Sequence, residues 1–169
     1  YFGHCSVVLL SEDVAKEGIR NFIDFFFHDN KINVSLDMVV VKNSKASDIF
    51  KCKPVRANLV SFDVSKALKE TAKENSTTDS VKVYECINAM ENPGAEAFLP
   101  SITLDEDNGE QRFSISGISV FKEDKLIGFL SEEESLYFLM LTNNLKNGSI
   151  NTSPNAAIIR PITPPIIND

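Results

Sequence analysis

The apolar positions follow one rhythm up to about residue 95 and another after it. Residues 5–10, CSVVLL, form an apolar run of strand length, closed by Ser11. Ser11 is a candidate N-cap, and Glu12 and Asp13 suit the positive end of a helix dipole. Ala15, Ile19, Phe22, Ile23 and Phe26 follow at three- and four-residue spacing, which predicts a helix with one buried stripe. Gly18 interrupts that pattern at a cost of about 1 kcal/mol relative to alanine, so a break or a tight packing contact is expected there. HDNK, residues 28–31, ends the helix. Residues 35–42, SLDMVVVK, read as a β-branched strand, central in a sheet. KASDIFK, residues 45–51, predicts a short helix that stops before Pro54. FDVSKALKETAKEN, residues 62–75, predicts an amphipathic helix. Val64, Ala67, Leu68, Thr71 and Ala72 face inward, and Lys66, Lys69, Glu70 and Lys73 face outward. NSTTDS is a polar loop. SVKVYECINAMEN, residues 80–92, is a further helix with Val83, Tyr84, Ile87 and Met90 as its stripe, stopped by Pro93-Gly94.

Residues 97–131 change to short alternating runs split by DEDNGE and KEDK, the pattern of a three-stranded β-meander. Ser131 with Glu134 three residues on matches a capping box, and EEESLYFLMLTNNL is the last helix. KNGS is a turn. From Asn151 the chain is rich in Pro and Asn, and this segment reads as a linker or as a strand that needs a partner outside the chain. The fold class is α+β: a mixed sheet with several helices, followed by a β-meander and a helix. The division expected is 1–95 for the strand/helix alternation and 96–150 for the meander plus helix, a subdomain of the same unit. Residues 151–169 are then a linker or strand toward a missing C-terminal domain. No internal repeat is apparent.

With 169 residues, 43% hydrophobic and 24% charged, the chain can bury a core without staples. A net charge of −7, a pI near 4.9 and no Lys/Arg-rich run argue against nucleic-acid binding. The three cysteines, Cys5, Cys52 and Cys86, are too few and too far apart for a disulfide framework or a C-x-x-C zinc site. They are expected to act as small buried hydrophobes. No apolar stretch reaches the roughly 18 residues that a membrane span needs. No signal peptide is expected, because the N-terminus lacks a basic region and an apolar core. Cys5 is not expected to be a lipoprotein cysteine, since no such core precedes it. The chain opens at Tyr1 on core-like sequence and reads as a piece of something longer.

The candidate chemistry is sparse. There are two histidines, His4 and His28, and no G-x-S-x-G elbow, H-E-x-x-H helix or Gly-rich phosphate loop. Adjacent side chains on a strand face opposite ways, so His4 and Cys5 are not expected to share a site. Cys5 is expected to begin the buried face, with His4 at the strand's entrance. His28–Asp29 fits a helix C-terminus better than a metal or pH-sensing site. SEEES, residues 131–135, lacks the alternating oxygen ligands of a calcium loop. KEDK, residues 122–125, fits a hairpin turn. Phe25 and Phe27 lie off the helix stripe and leave apolar surface for a neighbouring domain, although core packing also accounts for the aromatic run of residues 22–27. No catalytic, cofactor-binding or metal-binding residue is assigned.

Four stretches, in order and spacing, resemble one family: FGHCSVVLLSEDVAKEGI, FFFHDNKINVSLDMVVVKNSKASDIFK, NPGAEAFLPSITL and SISGISVFKEDKLIGFLSEEES. The last is the most specific, as G-x-x-V-F-K-x-D-K-L-x-G-x-L-x-x-x-E-S. The chain is similar over residues 2–150 to the Ger(x)C lipoproteins, the C subunits of spore nutrient germinant receptors. It departs from the pattern at His28, where an Arg is expected, and at Asn43, where Gly is common. The resemblance implies a non-enzymatic, lipid-anchored subunit on the outer face of the spore inner membrane, working with membrane-embedded A and B subunits. It assigns no catalytic residue. The expected functional surface lies within residues 117–135, for which a purely structural hairpin, with Gly117 and Gly128 allowing close packing, is an equal reading. A germinant-binding domain would need a pocket near Arg20, His28 or Arg56. An extracytoplasmic hydrolase would need a nucleophile within reach of His4 or His28.

Overall fold

Alternation of β-branched strands with amphipathic helices builds the first part of the molecule. The computed structural model describes residues 5–28, 34–55, 58–74, 76–92, 94–107, 109–144, 148–152 and 155–159. The order is β1 (Val7–Ser11), α1 (Glu12–Glu17), α2 (Arg20–His28), β2 (Asp37–Val41), α3 (Ala46–Ile49), α4 (Val60–Glu74) and α5 (Val83–Glu91). The meander follows as β3 (Phe98–Asp107), β4 (Glu110–Lys122) and β5 (Lys125–Leu130). It leads into α6 (Glu132–Leu141) and a hairpin of β6 (Gly148–Thr152) and β7 (Asn155–Ile159).

Strands β1 to β5 form one sheet in sequence order. β1, β2 and β3 run parallel, and β3, β4 and β5 antiparallel. The α+β expectation with a mixed sheet holds, and the meander is the continuation of the sheet through β3. β2 is buried on both faces, as its unbroken Met-Val-Val-Val run requires. Met38 and Val40 face one core with Leu10, Ile19, Ile23, Val83, Cys86 and Leu99, under α1, α2 and α5. Val39 and Val41 face the other with Ile49, Val60, Val64, Leu68 and Ile102, under α3 and α4. The two-residue period of the strand thus divides the helices between the two faces. β3 pairs with β2 only through Ser101 and Ile102. Pro100, which has no N–H to give, stands just before that pairing, where the register to β4 also shifts.

The break expected at Gly18 is present. α1 ends at Glu17, Gly18 has φ +128°, and α2 restarts at Arg20. In α4, Val64, Ala67, Leu68 and Ala72 are buried and Lys66, Lys69 and Lys73 exposed, as the pattern predicts. In α5 the stripe differs: Cys86 is buried with Val83 and Ile87, whereas Tyr84 is 40% exposed. Residues 76–80 form a loop, as predicted, and within it Ser76 and Thr78 are buried. Their hydroxyls donate to carbonyls, Ser76 to Ala72 at 3.4 Å and Thr78 to Gly117 at 3.4 Å, so short polar residues line a tight interior passage without unpaired groups. Within the segment expected to be a linker or strand, β7 pairs antiparallel with β6, Ile158 opposite Ser149, and residues 160–169 lie outside the described residues.

Ser131 caps α6 as predicted. Its hydroxyl accepts from the Glu134 N–H at 3.3 Å, and Glu134 Oε2 accepts from the Ser131 N–H at 2.9 Å. These bonds from Ser131 hold the Glu134 carboxyl below its usual range. A carboxylate with a depressed folded-state pKa stabilises the fold above its unfolded pKa, and that contribution is lost as pH falls through the folded value. Ser131→Ala, which removes the N-cap hydroxyl, is expected to cost about 1 kcal/mol. Glu134→Gln should flatten the acid side of a stability-versus-pH curve measured by thermal unfolding. An unchanged acid limb would show that the box contributes nothing.

Candidate functional surface

The region within residues 117–135 starts at a close approach that only glycine permits. Gly117 has φ +94°, and a Cβ there would lie 2.6 Å from the Leu130 carbonyl oxygen and 2.8 Å from Ser135 Oγ. Ser135 is fully buried on α6, and its hydroxyl accepts the Ile118 N–H at 3.0 Å. This contact joins the start of α6 to the middle of β4. Gly128 is different: no atom lies within 4 Å of its would-be Cβ, so the close packing expected there is absent.

KEDK is the hairpin turn between β4 and β5, with Lys122 opposite Lys125. Glu123 sits in the left-handed region at φ +57°, unusual for a non-glycine residue, and its N–H donates to Glu96 Oε2 at 3.0 Å. Asp124 reaches the break between α1 and α2. Its carbonyl accepts the Ile19 N–H at 2.9 Å and its carboxylate the Arg20 N–H at 3.4 Å. Phe121 N–H donates to the Ala97 carbonyl at 3.1 Å. Three of the four family-like stretches, around Gly18-Ile19, around Glu96-Ala97 and around KEDK, therefore meet at one turn. What they build there is a junction in which backbone N–H groups are held by carbonyls and by the Glu96 and Asp124 carboxylates.

A second junction was not foreseen. Asp37, at the start of β2, is 2% exposed. Its Oδ1 accepts from Ser80 Oγ at 2.6 Å and from Lys82 Nζ. Lys82 then opens α5, its N–H donating to Glu85 Oε2 at 2.7 Å. Asp63, also buried, accepts the Val55 N–H at 2.7 Å and fixes the chain entering α4. The sequence signal for both was an acid at a core position, Asp37 ahead of MVVV and Asp63 on the inner face of α4.

His4, Asp29 and Arg56 lie outside the described residues. His28 is the last residue of α2. Cys5 is exposed, so it does not begin the buried face; that face starts at Val7. Cys52 and Cys86 are buried as expected, and burial pushes the Cys86 thiol up to about 12, which leaves it unreactive at neutral pH. Among the described residues no three His, Cys, Asp or Glu side chains are grouped to hold a metal ion. No described helix is long and apolar enough to cross a membrane.

Two hollows bear on ligand binding. The cleft beside Arg20, between α2 and α5, holds about 100 Å³, below the roughly 300 Å³ where small-molecule pockets begin. A larger hollow of about 430 Å³ opens beyond the carboxyl ends of β1 and β2, lined by Ser11, Glu12, Asp13, Asn43, Ser44 and Lys45 among others. Glu12 spans it, accepting the Asn43 N–H at 3.0 Å and pairing with Lys16 at 2.6 Å. The Lys16 ammonium and the Asn43 N–H hold the Glu12 carboxyl below its usual range.

Residues 1–104 match the family profile described as spore germination protein N-terminal domain, and residues 116–160 match that described as spore germination B3/GerAC like, C-terminal. The chain is 18% identical over 147 residues to spore germination protein GerQC of Bacillus cereus, covering 87% of this chain and 39% of that protein. It is 23% identical over 143 residues to the putative spore germination protein YfkR of Bacillus subtilis (strain 168), covering 85% of this chain and 37% of that one. The crystal structure of the GerBC protein shares the fold, with a TM-score of 0.56 at 18% identity, over 90% of this chain and 42% of GerBC. The chain thus spans about two fifths of the length of each. With residues 1–104, more than half of the chain, matched by the N-terminal profile, the chain belongs to the family of spore germination proteins that this profile describes.

Proposed function

We propose that this chain is a non-enzymatic part of a germinant receptor C subunit, needed for nutrient-triggered germination through contacts with the A and B subunits. In this reading the complete subunit is held by a lipid anchor on the outer face of the spore inner membrane. The observation that carries the reading is the use made of the family-like stretches. At Gly18, Glu96, Gly117 and Asp124 they join elements through close contacts and through backbone N–H groups held by carbonyls and carboxylates, as a scaffold does. Calorimetric titration of this chain into the purified extramembrane domain of its A subunit should give saturable heat, and titration with amino acids and sugars none.

One observation favours a second reading, germinant binding by the C subunit itself. The hollow at the carboxyl ends of β1 and β2 offers hydroxyl, carboxylate and ammonium groups suited to a small polar nutrient, at the edge where parallel sheets commonly bind ligands. Saturable heat from a single nutrient, abolished by Glu12→Gln, would establish that reading and displace the first.

A further inference from the structure

We propose that the outer face of the α3–α4 unit docks onto an anionic lipid surface. The chain is acidic as a whole, with 17 Lys and Arg against 24 Asp and Glu. Its charge is nevertheless divided. Residues 42–73 hold eight of the basic side chains and three of the acidic ones, a net of +5, which leaves −12 for the rest. No run of consecutive lysines announces this; Lys45, Lys51, Lys53, Lys66, Lys69 and Lys73 are exposed, whereas Lys42 lies over the Phe129 ring and Arg56 is outside the described residues. Leu59, Phe62, Lys66, Lys69 and Lys73 recur at spacings of three and four, so they form one outward stripe along α4, opposite the buried Val64, Leu68 and Ala72.

The apolar end of that stripe is large. Leu59 is 57% exposed and Phe62 45%, and the preceding turn adds Phe50 at 55% and Val55 at 68%. The bond from Val55 N–H to Asp63 holds this turn against the first turn of α4. Bulky apolar side chains projecting singly among lysines fit a bilayer interface, which receives each one separately while the ammonium groups meet lipid phosphates. A protein partner would need a matching socket for each. Of the lysines here, Lys51 pairs with Asp48 at 2.7 Å, Lys66 with Glu70 at 3.9 Å and Lys53 with Glu110, all in contact with solvent. Such pairs contribute little and exchange readily for lipid headgroups. The acidic remainder of the molecule, repelled by the same surface, turns this face toward it.

The test is co-sedimentation of the 169-residue chain with vesicles of phosphatidylglycerol and phosphatidylcholine, or of phosphatidylcholine alone, at about 0.1 M salt. The chain should bind the anionic vesicles and release at high salt. Lys66→Glu/Lys69→Glu should weaken binding by at least about tenfold. Leu59→Ser/Phe62→Ser should weaken it severalfold with the charge unchanged, and far-ultraviolet circular dichroism should stay that of the parent because both side chains are exposed. No binding to anionic vesicles would overturn the proposal. Binding untouched by the Leu59/Phe62 exchange would also overturn it, because the apolar end of the stripe would then take no part in the docking.

Discussion

Replacing Gly117 with alanine is expected to lower the unfolding free energy by about 3 kcal/mol. The left-handed backbone at φ +94° costs a side-chain-bearing residue roughly 1–2 kcal/mol. The new methyl would then press on the Leu130 carbonyl oxygen at 2.6 Å and on Ser135 Oγ at 2.8 Å. The first is backbone held in the β4–β5 ladder, where Leu130 stands opposite Ile118, and it cannot rotate away. Overpacking of that kind adds about 1–3 kcal/mol. Gly128→Ala is the control: it has open space around it and should stay within about 0.5 kcal/mol of the parent. Urea denaturation of the two variants side by side decides the matter. Equal midpoints would mean that the approach of α6 to β4 is not tight in solution.

Lys82→Met is expected to cost about 3 kcal/mol, because it leaves the Asp37 carboxylate buried with the Ser80 hydroxyl as its remaining side-chain donor. The figure sits at the low end of the range for broken buried pairs, since the Lys82 side chain is 23% exposed and keeps part of its hydration. Adding Asp37→Asn removes the stranded charge while keeping an acceptor for Ser80, so the double variant should recover much of the loss. A chemical-denaturation cycle over the four proteins gives the coupling directly. A single Lys82→Met variant within 1 kcal/mol of the parent would show that water reaches Asp37 and that the pair is incidental.

What the sequence made legible, and what it did not, divides along one physical line. Periodicity within an element was reliable. The α4 stripe, the MVVV strand, the break at Gly18 and the Ser131–Glu134 box all follow from interactions among residues a few positions apart. Positions set by the meeting of distant segments were not. The buried faces of Ser76 and Thr78 depend on β4, since Thr78 bonds to Gly117 thirty-nine residues away. Tyr84 lost its place in the α5 stripe to Cys86, which packs into the core with Val83 and Ile87. Asp37 hides in the core because Lys82 reaches it from forty-five residues on. Of the candidate surface, the close packing at Gly117 was legible, but the role of KEDK as the point where three stretches join follows only from the fold.

The seam between the two family profiles falls within the β3–β4 hairpin, whose strands pair along most of their length. A hinge needs a segment crossed by few bonds, and this one is crossed by a full antiparallel ladder. Any load applied to β5 or α6 would therefore cross the β3–β4 ladder as shear on parallel rows of hydrogen bonds, with little bending, and would reach β2 only through Ser101 and Ile102. The meander with α6 would turn as one plate, joined to the parallel strands along that short row.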